Sequence, residues 1–160
     1  MLLHVLVAWL LFAIGAQALP HEDWRQALST LKTRLSSSAV ITFPGDARWD
    51  ALQVRASAPR VSPNYTAVVE VATESDVQVA VTLASRYNVP FLAVSGTHGW
   101  TKTLDRLPYG IQINMRKLNS TMLNGGGKTA VVGGGILQYE IVRALYPMGK
   151  YSGKLLKHTW

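Results

Sequence analysis

Cysteine is absent from all 160 positions. That excludes disulfide staples, thiolate nucleophiles, cysteine–zinc centres and iron–sulfur clusters. Charge is sparse too, at 16% of residues against 48% hydrophobic, so the chain has the material for one buried core and is no disordered tail. Acidic residues almost vanish after Trp100, where only Asp105 and Glu140 face nine lysines and arginines. Before it the two signs balance, so the net charge of +7 belongs to the C-terminal portion. Nucleic-acid binding is one reading of such asymmetry, but the basic residues are scattered rather than gathered on one helix face. An anionic cofactor or a missing acidic partner segment explains it as well. A solvated basic surface is the ordinary role of an individual lysine.

Long apolar runs are scarce. Residues 2–14 form one, followed by Ala16-Gln17-Ala18, a small-x-small cleavage pattern. This predicts a secretory signal peptide over residues 1–18, cut after Ala18. The rival reading, a membrane anchor, needs a longer apolar stretch. The expected mature chain is therefore secreted, with no membrane partner after cleavage. Asn64-Tyr65-Thr66 and Asn119-Ser120-Thr121 are glycosylation sequons, at Asn64 and Asn119, that fit a secreted chain.

Trp24, Leu28, Leu31 and Leu35 recur at helical spacing and predict an amphipathic helix over residues 22–35. Residues 43–63, with three prolines and little periodicity, read as loop, with Trp49 and Leu52 pinning it to the core. Residues 19–62 are thus a lead-in. Residues 67–71 are β-branched and apolar, a buried strand. Thr73-Glu74-Ser75-Asp76 has the form of a capping box, and Val77, Ala80, Val81, Ala84 and Tyr87 mark the helix face beyond it. Asn88 is the expected left-handed cap and Pro90 the stop, before a second strand, Phe91-Leu92-Ala93-Val94. Strand, helix, strand in this compass is a βαβ unit with parallel strands. Residues 111–115 and 130–132 are strand-like, and Asn124-Gly125-Gly126-Gly127 between them predicts a hairpin. Leu137, Ile141 and Leu145 suggest a last helix, stopped by Pro147-Met148-Gly149. Residues 150–160 are basic and patternless, a tail.

Chemistry concentrates in the loop Ser95-Gly96-Thr97-His98-Gly99. Glycine there permits positive φ and lets backbone N–H groups approach an anion such as a pyrophosphate, with Ser95 and Thr97 as hydroxyl donors. It is not a nucleotide P-loop, because the G-K-[ST] ending is missing, and no helical pattern follows to make it a dinucleotide fingerprint. His98 by itself is as compatible with a hydrogen bond inside a turn. Zinc lacks partners, since His4, His21 and His158 lie towards the chain ends. A triad with Ser95 is poorly supported, because triads draw their members from separate segments.

From residue 43 to residue 150 the chain resembles the N-terminal part of oxygen-dependent FAD-linked oxidoreductases, the family of vanillyl-alcohol oxidase and the berberine-bridge-like enzymes. The likeness runs in order. It begins at Ala58-Pro59-Arg60-Val61-Ser62-Pro63-Asn64-Tyr65-Thr66 and passes through Glu74-Ser75-Asp76-Val77 and Asn88-Val89-Pro90-Phe91 to the loop. It continues at Asn114-Met115-Arg116-Lys117-Leu118-Asn119 and Val131-Val132-Gly133-Gly134-Gly135-Ile136. The resemblance implies an α+β fold, a PCMH-type FAD-binding subdomain over residues 63–149, made of the βαβ unit and a mixed sheet with flanking helices and expected to be incomplete. It implies FAD as cofactor, held by Val94, Ser95, Gly96, Thr97, His98 and Gly99, with His98 at the position of covalent flavin attachment. Thr97 stands where many relatives have glycine. Double attachment needs a cysteine and is excluded.

The implied activity is hydride removal from a small organic substrate to flavin, with reoxidation by O₂. Family enzymes continue into a substrate domain that supplies pocket and base, so no catalytic residue is assigned here. Two further readings stay open: a non-catalytic secreted fragment of such an enzyme, and a basic module for anionic surfaces.

Overall fold

A computed structural model describes residues 21–55, 63–99 and 109–152 of the chain. The expected signal peptide, Ala58-Pro59-Arg60-Val61-Ser62, residues 153–160 of the tail and the side chain of Trp24 lie outside the described residues.

Helix α1, His21–Arg34, turns Leu28 and Leu31 into the core, where they are almost fully buried. After a short strand β1, Val40–Thr42, the loop-rich lead-in contains one brief helix, α2, Trp49–Gln53. Trp49 and Leu52 are half-buried, as expected of residues that pin a loop. Strand β2, Ala67–Glu70, is buried along its whole length. The α3 helix, Glu74–Arg86, starts where expected: Thr73 Oγ1 accepts from the Asp76 N–H at 3.1 Å, and the Asp76 carboxylate accepts from the Thr73 N–H at 2.9 Å. That reciprocal pair satisfies N–H groups a helix start would otherwise leave open. Asp76 does more. It also accepts from Ala72 N–H at 3.0 Å and from the Ser36 N–H and hydroxyl at 2.7 and 2.8 Å, tying the end of α1 to the start of α3. Helix α3 ends beside Asn88, whose φ of +50° is the left-handed conformation asparagine tolerates.

Strand β3, Phe91–Val94, completes the strand–helix–strand unit, and β4, Ile111–Asn114, follows the loop segment. The sheet order is β1-β2-β4-β3, with β1 antiparallel and the other three parallel. β2 and β3 are thus parallel but not neighbours, because β4 is inserted between them. The central pair β2–β4 aligns Val69 with Ile113. Around it, Leu28, Leu31, Val71, Ala80 and Ala84 make the main core.

The hairpin differs from its expected form. Its arms are β5, Thr121–Leu123, and β6, Ala130–Val132, in a separate two-stranded sheet. Residues 111–114 join the main sheet instead. The physical reason is burial on both faces: Ile111 and Ile113 fill the core, while the Gln112 amide donates to Leu52 O at 3.1 Å. A central parallel strand offers that environment, and a two-stranded hairpin does not. Helix α4, Gln138–Leu145, buries Ile141 and Leu145 and passes through a 3-10 turn, Tyr146–Met148, to Gly149 at φ +64°. Among the described residues no helix is long and apolar enough to cross a membrane.

Candidate cofactor cleft

Three parallel strands run in one direction, and the chain leaves β3 at its C-terminal end into residues 95–99. In open α/β sheets this end is where ligands are held, because loops there can diverge and open a crevice. A cavity of about 290 Å³ lies at this point. Val94, Ser95, Thr97, His98 and Gly99 line one side; Arg55, Tyr65 and Gln112 come from elsewhere in the fold. Five of the six residues expected to hold a cofactor therefore share one cleft. The sixth, Gly96, sits under the His98 ring: a Cβ on it would stand 2.8 Å from Cδ2 and 2.9 Å from Nε2. Gly96 is needed for the histidine to fold back over it. His98 itself is exposed.

Glycine's conformational freedom was expected to shape the loop. The left-handed residue is instead Thr97, at φ +56°. A β-branched side chain in that region is a backbone outlier, and such strain persists where surrounding structure fixes it. Gly99 is required for a different reason: a Cβ there would run into the Arg55 guanidinium.

The loop is tethered at both ends. Arg55 Nη2 donates to Gly99 O at 2.6 Å, across 44 residues of sequence. Ser95 Oγ donates to Gly135 O at 3.0 Å, which commits its proton to the protein and leaves its oxygen as acceptor. Arg116 also donates to Gly135 O, and reaches Glu140 through both guanidinium nitrogens at 3.1 and 2.7 Å. The Arg116 guanidinium and the Leu137 N–H hold the Glu140 carboxyl down at about 2. The ion pair in turn raises Arg116. Gly133 and Gly135 lie so close to the backbone at Leu118 and Met115 that neither admits a side chain.

Two groups set the electrostatics. Arg55 is only 8% exposed, and its Nη1 finds no hydrogen-bond partner among the described residues. Tyr65 is buried beside it; burial pushes its phenol up to about 12, against the opposing pull of Arg55, so it is neutral at physiological pH. The cleft is therefore cationic. A buried guanidinium and a neutral phenol on one wall are donors suited to an anion.

No sequence pattern marked Arg55, Tyr65, Arg116 or Glu140 as part of this region. Asn64 and Asn119 both stand exposed on the surface. Among the described residues no group of three or more His, Asp or Glu side chains is placed to hold a metal.

A mixed α+β sheet with a glycine-containing loop after a parallel strand, beside a cleft lined by a buried cation, is an architecture that holds cofactors. The family of that class is shown by comparison. The model of the FAD binding domain family matches residues 65–157, more than half of the chain, and the chain belongs to that family. It is 30% identical over 141 residues to the FAD-linked oxidoreductase azaL of Aspergillus niger, an alignment covering 88% of this chain and 30% of that one. Among solved structures it is similar to the BBE-like 1 protein of Physcomitrella patens, with a TM-score of 0.63 at 24% identity over 78% of this chain and 26% of that one. It is also similar to a xylooligosaccharide oxidase from Myceliophthora thermophila, with a TM-score of 0.66 at 19% identity over 78% and 25%. These likenesses establish the fold, and FAD is the cofactor of the domain. The chain spans less than a third of the length of the curated relatives it matches.

Proposed function

We propose that this chain supplies the FAD-holding wall of an FAD-linked oxidoreductase acting on a small organic molecule. The observation that carries the reading is the cleft itself: a strained loop at the C-terminal end of a parallel strand, facing a buried cation. When bound, FAD supplies the redox chemistry, taking a hydride from a substrate C–H bond and passing electrons to O₂. The protein's part is orientation and charge. Backbone N–H groups of residues 95–99 would hold the pyrophosphate, Val94 would pack at the strand end, and His98, folded over Gly96, would be the covalent anchor for the flavin. Holding the loop in one shape before the cofactor arrives lowers the ordering cost of binding.

The test is direct. The chain is expressed with FAD supplied, precipitated in acid, and the pellet read for flavin fluorescence. Flavin remaining on the polypeptide is expected, and His98→Ala should move it into the supernatant while leaving it bound in native buffer. A native protein with no flavin absorbance sinks the reading.

The exposed sequons at Asn64 and Asn119 and the apolar residues 2–14 support a second part of the proposal, that the protein is a secreted glycoprotein cleaved after Ala18. A mature N-terminus at Leu19 is expected. An intact Met1 on protein recovered from the medium would contradict it.

A further inference from the structure

Arg55 lies outside the residues that the family model matches, in the lead-in that sequence reasoning left without function. Its burial is unusual. Guanidinium groups are rarely taken out of water without an anion, because desolvating a charge costs several kcal/mol unless a partner repays it. The two ion pairs among the described residues join Arg48 to Glu70 and Arg116 to Glu140, and Arg55 is in neither. The buried phenol beside it stays neutral at physiological pH, so Tyr65 supplies no counter-charge. One guanidinium nitrogen is used on a neutral acceptor, Gly99 O, and another, Nη1, is closed off from solvent without a partner among the described residues. Arg55 and Tyr65 both line the cavity that residues 95–99 line.

We propose that Arg55 is a phosphate-binding residue of this cleft, its guanidinium giving the cofactor's pyrophosphate a cation to lie against while Nη2 fixes the end of the loop. The inference rests on the cofactor reading above and adds to it the cation that neutralises the pyrophosphate. Arginine suits the task because its permanent charge is spread over a planar fork, so that one nitrogen can hold the loop carbonyl while the cation as a whole faces the anion. One side chain thereby couples loop shape to ligand charge. With the loop carbonyl held by Nη2, the anion meets a guanidinium already in position. Lysine would keep the charge but not the fork.

The experiment compares the full chain with Arg55→Met and Arg55→Lys, using FAD, riboflavin and inorganic pyrophosphate as probes, with thermal melting to establish that each variant folds. Arg55→Met is expected to weaken FAD binding by about ten- to a hundredfold, the scale of a lost charge-assisted hydrogen bond, and to change riboflavin affinity by less than about twofold. Arg55→Lys should recover part of the loss. On the unsubstituted protein, pyrophosphate alone should raise the melting midpoint, and riboflavin should not do so through this residue. FAD binding to Arg55→Met with unchanged affinity overturns the proposal while leaving the cofactor reading intact. A protein that binds no FAD, yet is stabilised by pyrophosphate only when Arg55 is present, overturns the cofactor reading and leaves Arg55 as an anion site. Should Arg55→Met not fold, the pyrophosphate measurement on the unsubstituted chain decides, and no rise in midpoint counts against Arg55.

Discussion

The four-stranded sheet and the two-stranded hairpin are held in place by different physics. In the first, β2 and β4 are buried residue by residue, and the helices α1 and α3 close over them with leucine and alanine. In the second, Met122 and Val131 are cross-strand partners and are 61% and 53% exposed. The hydrogen bonds that join the hairpin and α4 to the rest gather at two points: the Arg116–Glu140 pair and the Gly135 carbonyl that receives both Arg116 and Ser95. Apolar burial is dense and insensitive to pH, whereas a handful of hydrogen bonds is neither. The difference matters because residues 95–99 lie on the seam. Their strand, β3, is the half-exposed edge of the four-stranded sheet, and Ser95 is anchored to the other unit. The cleft inherits its floor from the core and its rim from the weaker contacts.

The largest expected effect tests that contrast at its root. Ile113 is 1% exposed at the centre of the sheet, so Ile113→Ala should cost about 3–4 kcal/mol in urea unfolding, from lost transfer energy plus the cavity left behind. Met122→Ala on the hairpin should stay within about 0.5 kcal/mol. Comparable losses at the two positions would show that the hairpin carries as much of the stability as the sheet, and the contrast would fail.

Acid provides a finer division. Burial pushes the Asp76 carboxyl up, but the Ser36 and Ala72 N–H groups and the Ser36 and Thr73 side-chain contacts outweigh it and hold it at about 2. Glu140 is held equally low by Arg116 and Leu137. A carboxyl with a depressed folded pKa contributes its stability in full above the unfolded value of about 4 and loses it as pH falls towards about 2. The melting midpoint should therefore drop between about pH 5 and pH 2. Asp76→Asn should lower stability at neutral pH by about 2 kcal/mol and flatten that slope, since it joins α1 to α3 inside the main unit. Glu140→Gln should leave the slope nearly intact and instead speed amide exchange locally in α4 and the hairpin. If the two substitutions flatten the slope alike, the hairpin unfolds together with the sheet.

Legibility followed the range of the interactions. The unit from β2 to β3 was readable because each of its signals is local: the Thr73 cap, the apolar face of α3, Asn88 ahead of Pro90. The hairpin was placed correctly at its second arm and wrongly at its first, because Thr121-Met122-Leu123 is too short to alternate, whereas residues 111–115 have a strand pattern and are the nearest such segment before the turn. Only the presence of β2 and β3 on either side explains why those residues leave for the main sheet. The site divides in the same way. Residues 94–99 are contiguous and could be read as one loop. Arg55 reaches that loop across 44 residues and Gly135 reaches it across 40, and neither contact leaves a trace in local composition. Loop shape was legible in outline only, since its two glycines are explained by close neighbours and the left-handed turn falls on the residue between them.

That residue gives the smallest expected effect and the one closest to the cleft. Thr97 at φ +56° holds a β-branched side chain where the left-handed conformation costs about 1–2 kcal/mol for any residue with a Cβ. Glycine removes that cost in the folded chain, but it also gives the unfolded chain more freedom, worth about 0.5–1 kcal/mol in the opposite direction. Backbone strain alone therefore favours Thr97→Gly by about 0.5 kcal/mol, so urea unfolding with matched m-values should show a gain of that size less whatever the threonine's own contacts contribute. FAD affinity measures the same residue from the other side. If the turn is set by the tethers at Ser95 and Gly99, glycine keeps the loop shape and affinity changes by less than about twofold. If the threonine side chain itself fixes the turn, the freed loop must be ordered on binding and affinity falls even as the protein becomes more stable. A rise in stability with unchanged affinity would place the shape of the cleft in its long-range anchors, on the seam between the buried sheet and the polar-bound hairpin.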